Sequence, residues 1–323
     1  MLAIVVRAFG GPEALQPEEV PDPIPGAGDV LVRIHANGVN PYDTYMRSGA
    51  YAIRPDLPYI PGADAAGIIE HVGHDLSGVA IGDRVYICGT AAHRAYGAYA
   101  SLVVCRPAQI HPLANRLSFA QGAAIGIPYV TAWRAVFDRA QAQPGETMLV
   151  HGASGAVGLA AVQIGHAAGL TVIGTAGTDE GAALVRAQGA AHVFNHREPG
   201  YLDRIGSITN SGPDVVIEML ANQNLDADLS VLAPRGRVVV VGSRGRVEID
   251  PRKTMAKEAA VLGTAFWNLG ADDLARIYAA LGQAFEEGKL TPVIADELPL
   301  ADASRGHERV MAPGAHGKIV LLP

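Results

Sequence analysis

Three glycines at a spacing of three, Gly152, Gly155 and Gly158, separate a short apolar run from a long segment of small and apolar residues. No other feature of the chain narrows what it can fold into as far. Met148, Leu149 and Val150 suit a buried strand, residues 159–168 a helix whose small side chains pack closely on a sheet, and residues 170–173 a second strand. Strand, turn, helix and strand within about 30 residues make a βαβ crossover. In such a turn Gly155 lets the backbone approach a pyrophosphate and Gly158 lets the helix sit tightly on the strand. The first N–H groups of the helix attract an anion. The pattern reads G-x-x-G-x-x-G, with Ala153 in place of the usual first glycine of G-x-G-x-x-G. A dinucleotide site is expected here, with a plain structural turn as the alternative.

The end of the second strand bears on which dinucleotide. NAD-preferring units place an Asp or Glu about 20 residues on, where it holds the ribose 2′-hydroxyl. Residues 174–178 here read Gly-Thr-Ala-Gly-Thr, and no carboxylate comes before Asp179 and Glu180. Nothing at that strand end repels a 2′-phosphate, so NADPH is the expected coenzyme; the alternative is that Asp179 reaches back to the ribose. A guanidinium fork suits a phosphate. Arg244, just beyond the apolar run 238–241, and His196 are the candidate donors, assisted by the N–H groups of Gly177 and Thr178. For Arg244 the alternative is a solvated surface arginine.

The chain has 323 residues, natural for two domains. Up to about residue 110 it is β-rich, with strand-length runs at 2–8, 30–36, 65–72, 84–87 and 99–104 divided by Gly and Pro. Short helices are expected at 40–49 and 118–123. From residue 127 strand runs at 170–173, 192–194, 215–219 and 238–241 alternate with helical segments, the pattern of a doubly wound parallel sheet. Residues 259–263 make a sixth strand, and a helix follows over 272–287. The tail, with a last strand at 318–322, is too small for a domain and returns to the β-rich part. No apolar run reaches the ~18 residues of a membrane span. The two cysteines, Cys88 and Cys105, argue against a disulfide-stapled secreted protein, so a cytoplasmic enzyme is expected. A net charge of −7 without a basic block lacks the footprint of a dedicated nucleic-acid binder.

Longer strings carry a resemblance. Residues 38–41 (GVNP), Thr44-Tyr45, 47–49 (RSG), 121–129 (QGAAIGIPY), 149–155, 174–178 (GTAGT), 194–198 (FNHRE), 217–222 (IEMLAN), 241–245 (VGSRG) and the TMAKE string at 254–258 occur in order over nearly the whole length. By these the chain resembles the zinc-free quinone oxidoreductases of the medium-chain dehydrogenase/reductase superfamily, the zeta-crystallin family. The resemblance implies an α/β protein: a GroES-like β-rich catalytic domain (1–122 and 265–323) plus a Rossmann doubly wound parallel-sheet cofactor domain (123–264), with the active site in the cleft between them. Position by position it implies NADPH contacts from Tyr45 and from the turn Ser154, Gly155, Ala156 and Val157. Further contacts would come from Gly177, His196 and Asn224, from Val241, Gly242, Ser243 and Arg244, and from Thr264, Ala265 and Phe266. Strand-end packing is the alternative for Val241, Ala265 and Phe266, and loop capping for His196 and Asn224.

Zinc-containing relatives use a Cys, a His within Gly-His-Glu, and a further Cys or Glu; those places fall on Asn40, Ala63 and Ile127. Amide, methyl and aliphatic side chains do not make a zinc site, so no metal is expected. His71 and His74 read as surface or turn residues. Ser154 stands outside G-x-S-x-G, and both cysteines lie in strand-like runs, which removes the hydrolase and thiol-nucleophile readings. The coenzyme then carries the chemistry, and the protein supplies orientation and exclusion of water. The expected reaction is NADPH-dependent reduction of a quinone, with one- or two-electron transfer left open. Asn40 and Tyr45 are the candidate catalytic residues, polarising a substrate oxygen or delivering a proton; the alternative is that both only hold the coenzyme. Tyr51, Tyr129 and Trp267 are candidates to line a slot for a flat substrate. Reduction of 2-alkenals or enones is the alternative activity, and AU-rich RNA binding, implied by the resemblance, a more distant one. A homodimer or homotetramer joined through sheet edges is implied too, with the apolar runs 238–241 and 259–263 suited to a covered edge.

Overall fold

The computed structural model describes residues 1–74, 76–89, 97–314 and 316–323. The chain divides into two compact units. One comprises Met1–Ile127, Gly282–Ala312 and Gly317–Pro323, the other Pro128–Leu281 and Pro313–His316.

In the second unit six strands lie side by side in the order His192–Asn195, Thr171–Ala176, Thr147–Val150, Val215–Glu218, Arg237–Val240 and Ala260–Gly263. Every pairing is parallel. Numbered along the chain this is 3-2-1-4-5-6, the doubly wound order whose direction reverses beside the first strand. The central strands are continuous hydrophobic runs because both faces of a parallel sheet are covered; all of Val215–Glu218 is buried.

The helix Ala156–Ala167 shows how tightly that covering is made. A β-carbon on Gly158 would lie 2.5 Å from the Gly152 carbonyl oxygen and 2.7 Å from Ala153 Cα. Seven residues on, a β-carbon on Gly165 would lie 2.3 Å from Met148 Cε. Positions seven apart share a helix face, so two glycines bring this helix against its own strand. The next helix, Asp179–Ala187, begins where the Thr178 hydroxyl accepts the Gly181 N–H at 3.1 Å.

The first unit is a mainly antiparallel sheet. Its order is Ile294–Pro299, Lys318–Leu322, Val30–Gly38, Asp64–Val72, Arg84–Ile87 and Ile110–Pro112, and Leu102–Cys105 also pairs with Val30–Gly38. Lys318–Leu322 lies antiparallel to Val30–Gly38, so the tail completes the N-terminal sheet, as expected from its length. The two units correspond to the expected GroES-like and Rossmann classes.

Several details depart from the sequence reading. The helix Pro251–Lys257 and the strand Ile294–Pro299 were not anticipated; both have polar, weakly periodic sequences that gain order only by packing. The unit limits fall at 127/128 and 281/282, against expected boundaries at 122/123 and 264/265. Residues 265–281 stay with the parallel sheet because Arg134 donates to the Ala265 carbonyl at 2.8 Å and Arg276 pairs with Asp138 at 2.8 Å. The run 238–241 is not an edge: Arg237–Val240 is flanked on both sides, and only Ala260–Gly263 of the two runs borders the sheet. Among the described residues no helix is long and apolar enough to cross a membrane.

Gly158→Ala should reduce the unfolding free energy by about 1–3 kcal/mol through overpacking. Gly263→Ala, where a β-carbon meets nothing within 4 Å, is the control and should be close to neutral. Urea unfolding of both variants checks this.

Candidate active site

In the parallel-sheet unit the glycine turn is held from behind. Thr175 accepts the Gly152 N–H at its hydroxyl (3.1 Å) and the Ala153 N–H at its carbonyl (2.8 Å). Gly152 has a φ of +56°, a left-handed conformation that favours glycine. Gly155 starts the helix Ala156–Ala167 with no side chain capping it; its own N–H donates to the Gly152 carbonyl at 3.1 Å, and the N–H groups at Ser154, Ala156 and Val157 are the ones available to an anion. A β-carbon on Gly155 would meet only the Gly152 carbonyl, at 3.5 Å. The protein reserves this space without filling it, which fits a pyrophosphate.

At the end of the neighbouring strand, a β-carbon on Gly177 would lie 3.0 Å from both His196 Nε2 and Arg197 Nε. Thr178 Oγ1 lies 3.0 Å from His316 Nε2. Burial, then the charges of Arg197 and His151, hold the His196 imidazole below its usual range. Arg197 is a guanidinium beside Gly177 that sequence reasoning did not single out. Its only signal was adjacency to His196, because the contact forms between the ends of two neighbouring strands. Arg244, by contrast, follows Arg237–Val240, three places across the sheet from Thr171–Ala176. At about 4.8 Å per strand those two strands are roughly 14 Å apart. Gly177 is flanked by His196 and Arg197.

The other candidate loops gather around Glu218. Its carbonyl accepts the N–H groups of Val241 (2.8 Å) and Gly242 (3.3 Å), while its carboxylate accepts Leu220 N–H and the Asn224 amide, the latter at 3.2 Å to each oxygen. The Asn222 amide oxygen accepts Arg244 N–H at 2.8 Å, and the Ser243 hydroxyl donates to the Gly245 carbonyl. Thr264, Ala265 and Phe266 follow the adjacent strand Ala260–Gly263. Thr264 Oγ1 is buried without a hydrogen-bond partner, a group that a bound coenzyme would satisfy. Trp267 packs edge-on against Phe266 at 4.8 Å. Tyr129 is 2 % exposed and its hydroxyl donates to Gln163 Oε1 at 2.8 Å, so it is a core residue and not part of a substrate slot.

In the β-rich unit the three positions where zinc-containing relatives carry ligands are organised by Asp64. Its Oδ2 accepts Asn40 Nδ2 and Lys318 Nζ, both at 2.9 Å, and its Oδ1 accepts Ile127 N–H at 2.9 Å. Lys318 also donates to Asn40 Oδ1 at 2.6 Å. Lys318 is 2 % exposed and Asp64 fully buried, so the ammonium and carboxylate neutralise each other. The Asn40 carboxamide is thereby gripped at both ends. A zinc ion does not fit this donor set: the ammonium already holds the carboxylate, and Ala63 and Ile127 offer no ligand. Tyr45 lies half-buried on the helix Pro41–Arg47, which starts where Asp43 accepts Asn40 N–H at 2.8 Å. Burial pushes the Asp43 carboxyl up to about 7. Tyr51 packs against Tyr42 at 5.7 Å.

A nucleotide-type parallel sheet with an uncapped glycine turn, joined in one chain to an antiparallel GroES-like unit, defines a dehydrogenase/reductase of the medium-chain class. Residues 26–115 match the alcohol dehydrogenase GroES-like domain, and residues 156–282 the family described as zinc-binding dehydrogenase. A quinone oxidoreductase of Mus musculus is 48 % identical over 327 residues, covering 100 % of this chain and 98 % of the mouse protein. Two solved structures each cover 100 % of both chains. A NAD-dependent alcohol dehydrogenase matches with a TM-score of 0.93 at 31 % identity, and a mycobacterial protein complexed with NADPH with 0.90 at 29 %. The chain belongs to the quinone oxidoreductase family of the medium-chain dehydrogenase/reductase superfamily.

Replacing Lys318 by Met removes one partner of a buried pair and leaves the Asp64 charge uncompensated. The loss should be about 3–5 kcal/mol of stability, measured by denaturant unfolding. Lys318→Arg should recover part of it.

Proposed function

We propose that this protein is an NADPH-dependent quinone oxidoreductase that works without zinc. The reading is carried by the Lys318 ammonium, bonded to Asn40 and Asp64 in the metal position of a chain whose dinucleotide turn is intact. Its 48 % identity to a quinone oxidoreductase supports the substrate class. When bound, the coenzyme supplies reducing equivalents from the nicotinamide ring.

The remaining work falls to residues of this chain. The N–H groups at Ser154, Ala156 and Val157 bind the pyrophosphate, and Gly155, whose own N–H holds the turn, gives it room to approach. His196 and Arg197 at Gly177, with Thr178 beside them, receive the 2′-phosphate, which favours NADPH over NADH. Asn224, the loop from Val241 to Arg244, and Thr264 to Phe266 hold the nicotinamide half. Asn40, fixed by Lys318 and Asp64, and Tyr45 orient the substrate oxygen, and the Tyr45 phenol is the proton source for the reduced product. Quinones are electron-poor and their reduced forms are stabilised anions, so hydrogen bonds suffice where a carbonyl substrate would need a Lewis acid. The β-rich unit (Met1–Ile127, Gly282–Ala312 and Gly317–Pro323) is assigned to catalysis and the parallel-sheet unit (Pro128–Leu281 and Pro313–His316) to the coenzyme. A dimer would form through the free edge at Ala260–Gly263, where Val261 is exposed.

Steady-state turnover of 1,2-naphthoquinone with NADPH and with NADH tests the reading, and NADPH should be preferred. Arg197→Ala should raise the KM for NADPH about tenfold to a hundredfold, as expected for one lost charge-assisted bond, and leave that for NADH nearly unchanged. A large preference for a short alkenal over the quinone would move the assignment to enone reduction.

A further inference from the structure

Beneath the nicotinamide-side loops lies a buried acid–base set that no step above uses. His151 directly follows the strand Thr147–Val150, Glu218 ends Val215–Glu218, and Asp228 lies on the helix Ala221–Val231; Glu218 and Asp228 are fully buried and His151 is 3 % exposed. His151 Nε2 is 2.8 Å from Asp228 Oδ1 and 3.8 Å from Glu218 Oε2. The 2.8 Å contact is a filled hydrogen bond, with the ring N–H donating to Asp228. The other Asp228 oxygen, Oδ2, is buried with no hydrogen-bond partner among the described residues. One oxygen of Glu218 lies within 4.8 Å of the ligand atoms of both Asp228 and His151, yet as a carboxylate it has nothing to donate.

We propose that Glu218 is a positioning residue for coenzyme binding and carries a proton that it shares with Asp228 Oδ2, so that coenzyme affinity follows the occupancy of that proton. The protonated carboxyl completes the network. Its O–H donates to the orphaned Asp228 oxygen, and its other oxygen still accepts Leu220 N–H and the Asn224 amide. Loss of the proton places two carboxylates side by side in a dry site and loosens the seat of Asn224. The groups facing Glu218 agree with this. Burial, with the charge of Asp228 and its hydrogen bond, raises the Glu218 carboxyl to about 7, against the opposing charge of His151. Burial alone would lower His151, but the bond and charge of Asp228, and the charge of Glu218, raise it above its usual range. Tyr201 stands edge-on to His151 at 6.3 Å with its phenol pushed up by burial, and on the phosphate side the charge of His151 helps, after burial and Arg197, to hold His196 below its usual range.

The link reaches the phosphate turn as well, because His151 Nδ1 is 3.5 Å from the Thr175 hydroxyl that holds Gly152. The sign follows from the direction of the shift. The carboxyl of Glu218 is raised in the fold, so its contribution is fully present below its unfolded value of 4.5 and is lost as pH rises through about 7.

This inference rests on the coenzyme reading of Asn224, and the test separates the two. NADPH affinity of the full-length protein, wild type and Glu218→Gln, is measured by fluorescence titration from about pH 5.5 to about 8.5, a span that brackets the raised carboxyl. The coenzyme 2′-phosphate titrates near ~6 in both proteins, so the ratio of their affinities isolates residue 218. Glutamine mimics the protonated acid, since its NH₂ can donate to Asp228 while its oxygen keeps Leu220 and Asn224. Wild type should match the variant within about twofold at the acid end and fall about tenfold behind it at the basic end, the change one unit of pKa linkage gives. Parallel curves throughout would overturn the proposal. Should the variant not fold, the infrared band of a protonated buried carboxyl in wild type decides. Its presence at neutral pH and disappearance above supports the proton, and its absence at every pH refutes it. If NADPH fails to bind at any pH, the coenzyme reading falls, while the infrared band still decides the proton.

Discussion

Everything the parallel-sheet unit offers a ligand depends on how closely one helix approaches its own strand. With Gly158 2.5 Å from a backbone oxygen as measured from an added β-carbon, the axis of Ala156–Ala167 lies where no larger residue would allow it. That closeness aims the helix start at the turn above the sheet, and Gly155 leaves that start without a side-chain cap. A partial positive charge and unpaired N–H groups are then concentrated in a space that the protein leaves clear. Thr175 holds the turn from the neighbouring strand, so the site is preorganised by the sheet and not by the ligand.

Around this turn and in the β-rich unit, the same physical problem is solved twice. A charged group taken out of water is costly unless a partner and hydrogen bonds replace its solvent. Lys318, Asp64 and Asn40 answer with a one-to-one ion pair whose leftover acceptors are filled by Ile127 N–H and the carboxamide. His151, Asp228 and Glu218 carry two carboxylates against one imidazole, and the excess is what a proton relieves. Both sets sit directly beneath residues assigned to ligand binding. Their worth lies less in stability than in fixing an amide, Asn40 in one case and Asn224 in the other, in a single orientation.

Much of the fold was legible before any coordinates. Strand runs separated by helical segments gave the alternating pattern of the sheet, and Arg84–Ile87 and Lys318–Leu322 fall where the apolar runs lie. The errors share a cause. Arg197 beside Gly177 was not legible, because which strand ends stand together depends on the 3-2-1-4-5-6 order. Tyr129 was given to a substrate slot on its chemistry, but its hydroxyl is satisfied by Gln163 inside the core. The edge role of 238–241 failed because hydrophobic content does not distinguish an inner strand from an outer one.

What the sequence determined by itself was everything that local spacing encodes: the glycine turn, the βαβ unit around it and the absence of a carboxylate at the next strand end; that Asn40, Ala63 and Ile127 stand where relatives carry zinc ligands came from the resemblance. Tertiary structure alone decided which distant side chains share a dry site. Lys318 meets Asn40 across 278 residues, Asp228 meets His151 across 77, and Arg197 stands beside Gly177. Helix and strand periodicity act over a few residues, so they are written in the order of the chain. Hydrogen bonds between buried charges depend on strand order and packing, which are properties of the whole fold and leave no local trace.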